Sequence, residues 1–74
     1  MKKVGDYMFS NLRKMRVNKG YTCEYMAKKL GLANKSSYSK RERGKTPFSL
    51  VEAKKVSDVF KHSIDSIFFS NKVS

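Results

Sequence analysis

Three positions in this chain carry side chains that can cap the start of an α-helix. Thr22, Ser49 and Ser63 each precede a short stretch with apolar residues at helical spacing. Their side-chain oxygens can accept hydrogen bonds from the unpaired amides of a first helical turn. At Ser49 the signal is a full capping box, because Glu52 stands at the third helical position. Such a chain is expected to fold into several short helices.

Apolar spacing extends this pattern to five helices. Met8, Leu12 and Met15 recur at helical intervals, with Asp6 as the predicted cap and Gly20 as the predicted end. We predict helices over about 7–18, 23–30, 35–43, 50–60 and 64–69. The fold class is therefore all-α.

The length of the chain allows one domain. Seventy-four residues have room for a single small hydrophobic core. We predict a compact five-helix bundle over residues 7–69, with flexible ends at 1–6 and 70–74.

The third predicted helix, between Asn34 and Gly44, is polar and basic. Its one large apolar side chain is Tyr38, so only a narrow edge of this helix can face a core. From residue 35 to residue 45 there are five cations against one acid, Glu42. These cations are either a solvated face or a surface for an anionic ligand.

The net charge favours a polyanionic partner. Seventeen Lys and Arg against six Asp and Glu give a formal charge of +11, which attracts DNA, RNA and membrane surfaces alike. A single-stranded RNA binder needs a platform of aromatic residues, and a membrane-surface helix needs a strong apolar stripe. The tyrosines are spaced for packing and the predicted helices are short, which disfavours both of these partners, but the charge by itself does not select DNA.

One cysteine and one histidine restrict the chemistry. Cys23 has no partner for an intramolecular disulfide and is typical of a reducing compartment. At a helix start it is either a reactive thiol or an ordinary small residue, and we favour the second. Cys23 and His62 are too few for a four-ligand metal site, and no acid–base or nucleophile set can be assembled. We expect no enzyme, no metal, no cofactor and no small-molecule ligand.

No apolar run is long enough to span a membrane, and the basic start has no apolar region behind it. A cytoplasmic protein, associated with the nucleoid when bound to DNA, is the expectation.

Several segments stand in an order and spacing that belong to a known family. They include Met26-Ala27-Lys28-Lys29-Leu30-Gly31-Leu32, Ser37-Tyr38-Ser39-Lys40-Arg41-Glu42-Arg43-Gly44-Lys45 and Ser63-Ile64-Asp65-Ser66-Ile67-Phe68. Over residues 12–69 the chain resembles the Cro/CI-type (XRE-like) helix-turn-helix domain of phage repressors and small bacterial transcriptional regulators. The resemblance implies a lambda-repressor-like fold. It also implies a repressor that inserts the helix 35–43 into the major groove of operator DNA.

The resemblance assigns roles to individual residues. The base readers it implies are Lys35, Ser36, Ser39 and Lys40. The phosphate contacts in the loop after that helix are Arg43, Lys45 and Thr46, and the start of the second helix, at Thr22 and Cys23, is a further phosphate site on physical grounds. A structural ion pair is implied between Arg16 and Glu42, and a homodimer contact at Phe68 and Phe69.

The sequence departs from the family pattern at three places. Cys23 stands where the family usually has Gln, which weakens one phosphate contact. One extra residue lies in the turn at Ala33-Asn34, which is expected to tilt the recognition helix. Arg41 stands at a usually apolar position and removes a core side chain.

A protein-interaction module is the alternative function. An antitoxin or anti-repressor-like protein on the same scaffold would hold another protein and bind DNA weakly. Phe68 and Phe69 support this alternative, because neighbours in a helix point about 100° apart and one ring is expected to stay exposed.

Overall fold

The computed structural model describes residues 9–69. Within them are α1 (Ser10–Asn18), α2 (Cys23–Leu30), α3 (Lys35–Glu42), α4 (Leu50–Phe60) and α5 (Ile64–Phe68). No strand occurs in this part of the chain, and the predicted all-α class is confirmed. The predicted domain limits stay a prediction, because residues 1–8 and 70–74 lie outside the described range.

The capping residues begin their helices as predicted. Thr22, Asn34 and Ser63 each accept a hydrogen bond from the backbone N–H three residues later. The capping box of α4 is complete: the Ser49 hydroxyl accepts from the amide of Glu52 at 3.1 Å, and the carboxylate of Glu52 accepts from the amide of Ser49 at 3.0 Å. These local signals fix where four of the five helices start.

The start of α1 differs from the prediction. The helix begins at Ser10 rather than at residue 7, and Phe9 stands before it without a side-chain cap. The amide of Phe9 donates to the carbonyl of Glu42 at 3.3 Å, and its ring contacts those of Phe48 and Phe68. Contact with distant parts of the chain therefore sets the start of this helix, and the predicted cap Asp6 lies outside the described residues.

Two of the helices are followed by a residue with a left-handed φ, a glycine in one case and a lysine in the other. α2 ends at Gly31, whose φ of 75° is left-handed, as a glycine stop requires. α4 ends at Lys61, which also adopts a left-handed φ, of 58°. A lysine is an uncommon choice there, and no sequence signal indicated it. α3 and α5 each end one residue before their predicted limits.

A single core takes side chains from all five helices. Its buried apolar members are Leu12, Met26, Ala27, Leu30, Tyr38, Val56, Phe60 and Ile67. α3 contributes only Tyr38 to this apolar core. Its contact with α2 is more extensive than its contact with α1. As its polar sequence predicted, α3 is attached along one edge, and most of its residues are left outside the core.

Candidate nucleic-acid interface

The inner edge of α3 is attached to α1 through a buried carboxylate. Glu42 is fully buried, and its two oxygens accept from Arg16 Nε at 2.8 Å and Arg16 Nη2 at 3.1 Å. Tyr38 Oη donates to the same carboxylate at 2.8 Å, and Arg16 Nη1 donates to the carbonyl of Tyr21 at 2.9 Å. A buried charge is tolerated when it is paired and hydrogen-bonded in this way. The two residues of the implied ion pair are thus in bidentate contact.

Two groups in this cluster, Tyr38 and Arg16, have a raised pKa. Burial, and next to it the neighbouring carboxylate of Glu42, raises the pKa of the Tyr38 phenol far above its ordinary value. The hydrogen bond to Glu42 also raises the pKa of Arg16. The tyrosine therefore stays a neutral donor and the arginine stays a cation at any pH at which the protein works.

A second contact attaches α3 to α4. Arg41 Nε donates to Glu52 Oε1 at 2.9 Å, and Arg41 Nη1 donates to the carbonyl of Ser37 at 2.8 Å. Arg41 is half-buried and lies outside the core. At this position the family usually has an apolar residue. Sequence reasoning missed its partner, since the capping box already gave Glu52 a role.

The carboxylate of Glu52 has a lowered pKa. The main cause is the hydrogen bond from the backbone N–H of Ser49. Burial opposes it, and the guanidinium of Arg41 adds to the lowering. Because the folded-state pKa lies below the unfolded one, the stabilisation is complete above the unfolded value. It is lost as the pH falls through the folded value.

The outer face of α3 carries the four residues implied as base readers. Lys35, Ser36 and Lys40 are exposed, and Ser39 is half-buried. Residues four apart share one side of a helix, so Ser39 lies over Lys35 and Lys40 over Ser36. The four side chains span about 140° of the helix circumference, and Lys35 lies two turns before the buried Glu42 on the same side of α3.

The start of α2 adjoins this face. A surface cavity of 440 Å³ is lined by Thr22, Cys23, Glu24, Lys35, Ser36 and Ser39. In the first turn of α2 the amide of Tyr25 donates to Thr22 Oγ1 at 3.0 Å. The amides of Cys23 and Glu24 have no intrahelical acceptor, and both residues line this cavity. Glu24 also lines the cavity, so a carboxylate lies beside the predicted phosphate site.

Cys23 is half-buried within that cavity wall. Burial raises the pKa of its thiol, and the lowering by Arg16 is smaller. The residue is therefore a neutral thiol near pH 7. This agrees with an ordinary small residue rather than with a reactive nucleophile.

The loop after α3 holds the other residues implied as phosphate contacts. The amides of Lys45 and Thr46 both donate to the carbonyl of Lys40, at 2.8 and 3.3 Å, which folds the loop against the end of α3. Lys45 is exposed, whereas Arg43 and Thr46 are half-buried. Arg43 Nε is buried and has no hydrogen-bond acceptor among residues 9–69.

The two phenylalanines at the end of α5 have different environments. Phe68 is half-buried, with its ring centroid 5.2 Å from those of both Phe9 and Phe48. Phe69 is 69% exposed. An apolar cavity of 330 Å³ lies beside them, lined by Phe9, Gly44, Thr46, Pro47, Phe48, Ala53, Phe68 and Phe69. Sequence reasoning missed this cavity, although it expected one exposed ring.

An α2–turn–α3 unit whose second helix is anchored by its inner edge and basic on its outer edge defines a helix-turn-helix DNA-binding domain. A family model described as helix-turn-helix matches residues 12–67. The chain belongs to this family, the Cro/CI-like (XRE) helix-turn-helix proteins. It is a DNA-binding family of regulators rather than of enzymes, and its partner is double-stranded DNA.

No curated protein and no solved structure gave a significant match to the chain. Within residues 9–69, no helix combines the length and the hydrophobicity that crossing a bilayer requires.

Proposed function

We propose that the protein is a sequence-specific transcriptional regulator, a repressor of the phage Cro/CI kind that inserts α3 into the major groove of its operator. One observation carries this proposal. Lys35, Ser36 and Lys40 are exposed on a helix that is held to the rest of the protein through the buried Tyr38 and Glu42. A helix can enter a groove only if its outer side is not needed for its own fold.

The chemistry of this face suits base edges. Lysine donates to the O6 and N7 acceptors of guanine, and serine hydroxyls adapt to several bases. Lys35 and Lys40 are therefore the main readers in this proposal, with Ser36 and Ser39 in support. Lys35 and Ser36 lie at the start of α3, where helix-turn-helix docking places the residues that contact the bases, whereas Lys40 lies in its last turn.

Phosphate contacts are proposed at both ends of α3. The amides of Cys23 and Glu24 can donate to one phosphate at the start of α2. At the C-terminal end of α3, the proposed contacts to DNA phosphates are Arg43, Lys45 and Thr46. Lys45 is the exposed cation of this loop, so its ammonium is accessible to a phosphate oxygen.

Selection of bound duplexes from a random pool tests the proposed function. We expect the wild type to enrich one motif. Lys35→Ala and Lys40→Ala should each lose the preference at one or two base pairs, at a cost of about 1–3 kcal/mol in binding. Lys54→Ala is the matched control, since it removes an exposed lysine on α4.

Three results of the selection are decisive. Loss of preference at particular base pairs, with the motif of the Lys54 variant intact, supports base reading. Uniform weakening with a smaller salt dependence makes Lys35 or Lys40 a phosphate contact instead. A wild type that enriches no motif contradicts a sequence-specific regulator.

Dimerisation through the end of α5 is proposed as part of the same function. Leu50 and Val51 at the start of α4 are 79% and 64% exposed, and Phe69 is 69% exposed. Exposed apolar patches on small proteins mark sites of association. A second copy on this surface would give the twofold symmetry that paired operator half-sites require.

Light scattering after size exclusion tests the dimer. We expect a dimer whose dissociation constant rises at least about tenfold in Phe69→Ser, which removes a ring of large contact area. Val17→Ser is the control, because Val17 is an exposed apolar residue on α1. A wild type that stays monomeric up to high concentration contradicts the proposed contact.

The apolar cavity also favours the alternative function, a module that holds another protein. Its lining is mostly aromatic and aliphatic, and a protein with a charge of +11 attracts acidic partners. The alternative predicts equal affinity for selected and scrambled duplexes at the same salt concentration. The regulator predicts a large difference.

A further inference from the structure

Arg41 joins α3 to α4 through a carboxylate that also caps α4. Glu52 Oε1 accepts from the amide of Ser49 at 3.0 Å and from Arg41 Nε at 2.9 Å. Arg41 Nη1 donates to the carbonyl of Ser37, one turn back in its own helix, at 2.8 Å. Each side chain of the pair is 18% exposed, so this contact is better shielded than an ordinary surface ion pair.

The contact complements the attachment of α3 to α1. Arg41 and Glu42 are consecutive, so their side chains leave the helix about 100° apart. Glu42 is bound by Arg16 of α1, and Arg41 is bound by Glu52 of α4. α3 also packs against α2 through the buried Tyr38. The contact of Arg41 with Glu52 adds a restraint from α4, in a third direction, on the rotation of α3 about its own axis.

We propose that Arg41 is a positioning residue for base reading. It sets, through Glu52, the rotation at which α3 presents Lys35 and Lys40 to the bases, and it makes no contact with DNA. This inference rests on the function proposed above. Hydrogen bonds to base edges depend on distance and angle, whereas attraction to phosphates tolerates a small rotation. A loosened α3 therefore loses sequence-specific affinity and keeps non-specific affinity.

Two single variants and their combination test the inference. Arg41→Met removes the guanidinium but keeps an unbranched side chain. Glu52→Gln removes the charge but keeps an oxygen for the capping box. Lys54→Met is the control for the loss of one positive charge. The dissociation constant of each is measured on the selected duplex and on a scrambled duplex of equal length, over a range of salt concentrations.

We expect both single variants to raise the dissociation constant for the selected duplex by about tenfold, with no further loss in the double variant. Their affinity for the scrambled duplex should stay within about twofold of the wild type, and the slope of log K against log salt should not change. Lys54→Met should bind both duplexes as the wild type does.

Other outcomes overturn the inference. If Arg41→Met weakens both duplexes and the slope falls by about one, Arg41 is a phosphate contact. If both duplexes weaken equally at a constant slope, the variant has only lost folded protein. If discrimination persists in both variants, Arg41 has no positioning role although the proposed function stands. If the wild type itself does not discriminate, the proposed function fails first and the inference fails with it.

Discussion

Glu42→Ala is expected to lower the free energy of unfolding by about 3–5 kcal/mol, because it leaves Arg16 without its carboxylate in a largely buried position. The side chain of Arg16 is only 11% exposed, so water cannot replace the lost partner. The hydroxyl of Tyr38 loses its acceptor at the same time. Small domains have total stabilities near the low end of about 5–15 kcal/mol, so the variant should keep only about 0–2 kcal/mol and a measurable fraction of it should be unfolded. Urea denaturation followed by circular dichroism measures the loss.

Two comparisons separate this effect from a general loss of charge. Glu24→Ala removes an exposed carboxylate and should change stability by no more than about 0.5 kcal/mol. The double variant Arg16→Met with Glu42→Leu replaces both charges by apolar side chains and should recover the part of the loss that comes from the unpaired charge, while the Tyr38 hydroxyl still lacks its acceptor. A Glu42 variant as stable as the Glu24 variant would show that the ion pair contributes nothing to the fold.

The sequence predicted those parts of the fold that depend on local chemistry. A cap and the amides it satisfies lie within four residues of each other, so the starts of the helices after Thr22 and Ser49 could be read directly. The weak helix α3 was predicted from its flanking cap and glycine rather than from its propensity. Because Tyr38 is its one large apolar residue, most of α3 was expected to be exposed.

Features that depend on distant contacts could not be predicted. The start of α1 is set by the packing of Phe9 against residues almost forty and sixty positions away. Helical geometry indicated that only one of Phe68 and Phe69 could be buried. Which of them is buried depends on where Phe48 lies. The turn at Lys61 has no glycine to mark it.

In the candidate site, too, some features were predicted from the sequence and those that depend on distant contacts were not. The resemblance named Lys35, Ser36, Ser39 and Lys40, and the structure places them on one side of α3. The contact of Arg41 with Glu52 was not predicted, because a departure from a family pattern says what is missing and not what replaces it. Only the packing of α3 beside α4 shows that the arginine has a partner.

A charge of +11 attracts DNA wherever it is distributed, so the affinity of this protein has two separable sources. One is the field of the whole molecule, which acts on any duplex and weakens with salt. The other is the set of donors on α3, which acts only when the helix lies in the groove. Substitutions that change the net charge equally but at different places distinguish them.

Lys35→Glu combined with Lys40→Glu is expected to lower the affinity for the selected duplex by at least about a thousandfold, because it removes two donors and places two carboxylates against base edges and phosphates. Lys54→Glu combined with Lys55→Glu has the same net charge but changes exposed positions on α4, so it should lose only the non-specific component, about tenfold or less at physiological salt. Fluorescence anisotropy with both duplexes measures the difference, and circular dichroism checks that both variants are folded. Equal losses in the two variants would mean that the overall field, rather than the outer side of α3, accounts for binding. A loss confined to the α3 variant would locate recognition on that helix, since the overall charge is the same in both proteins.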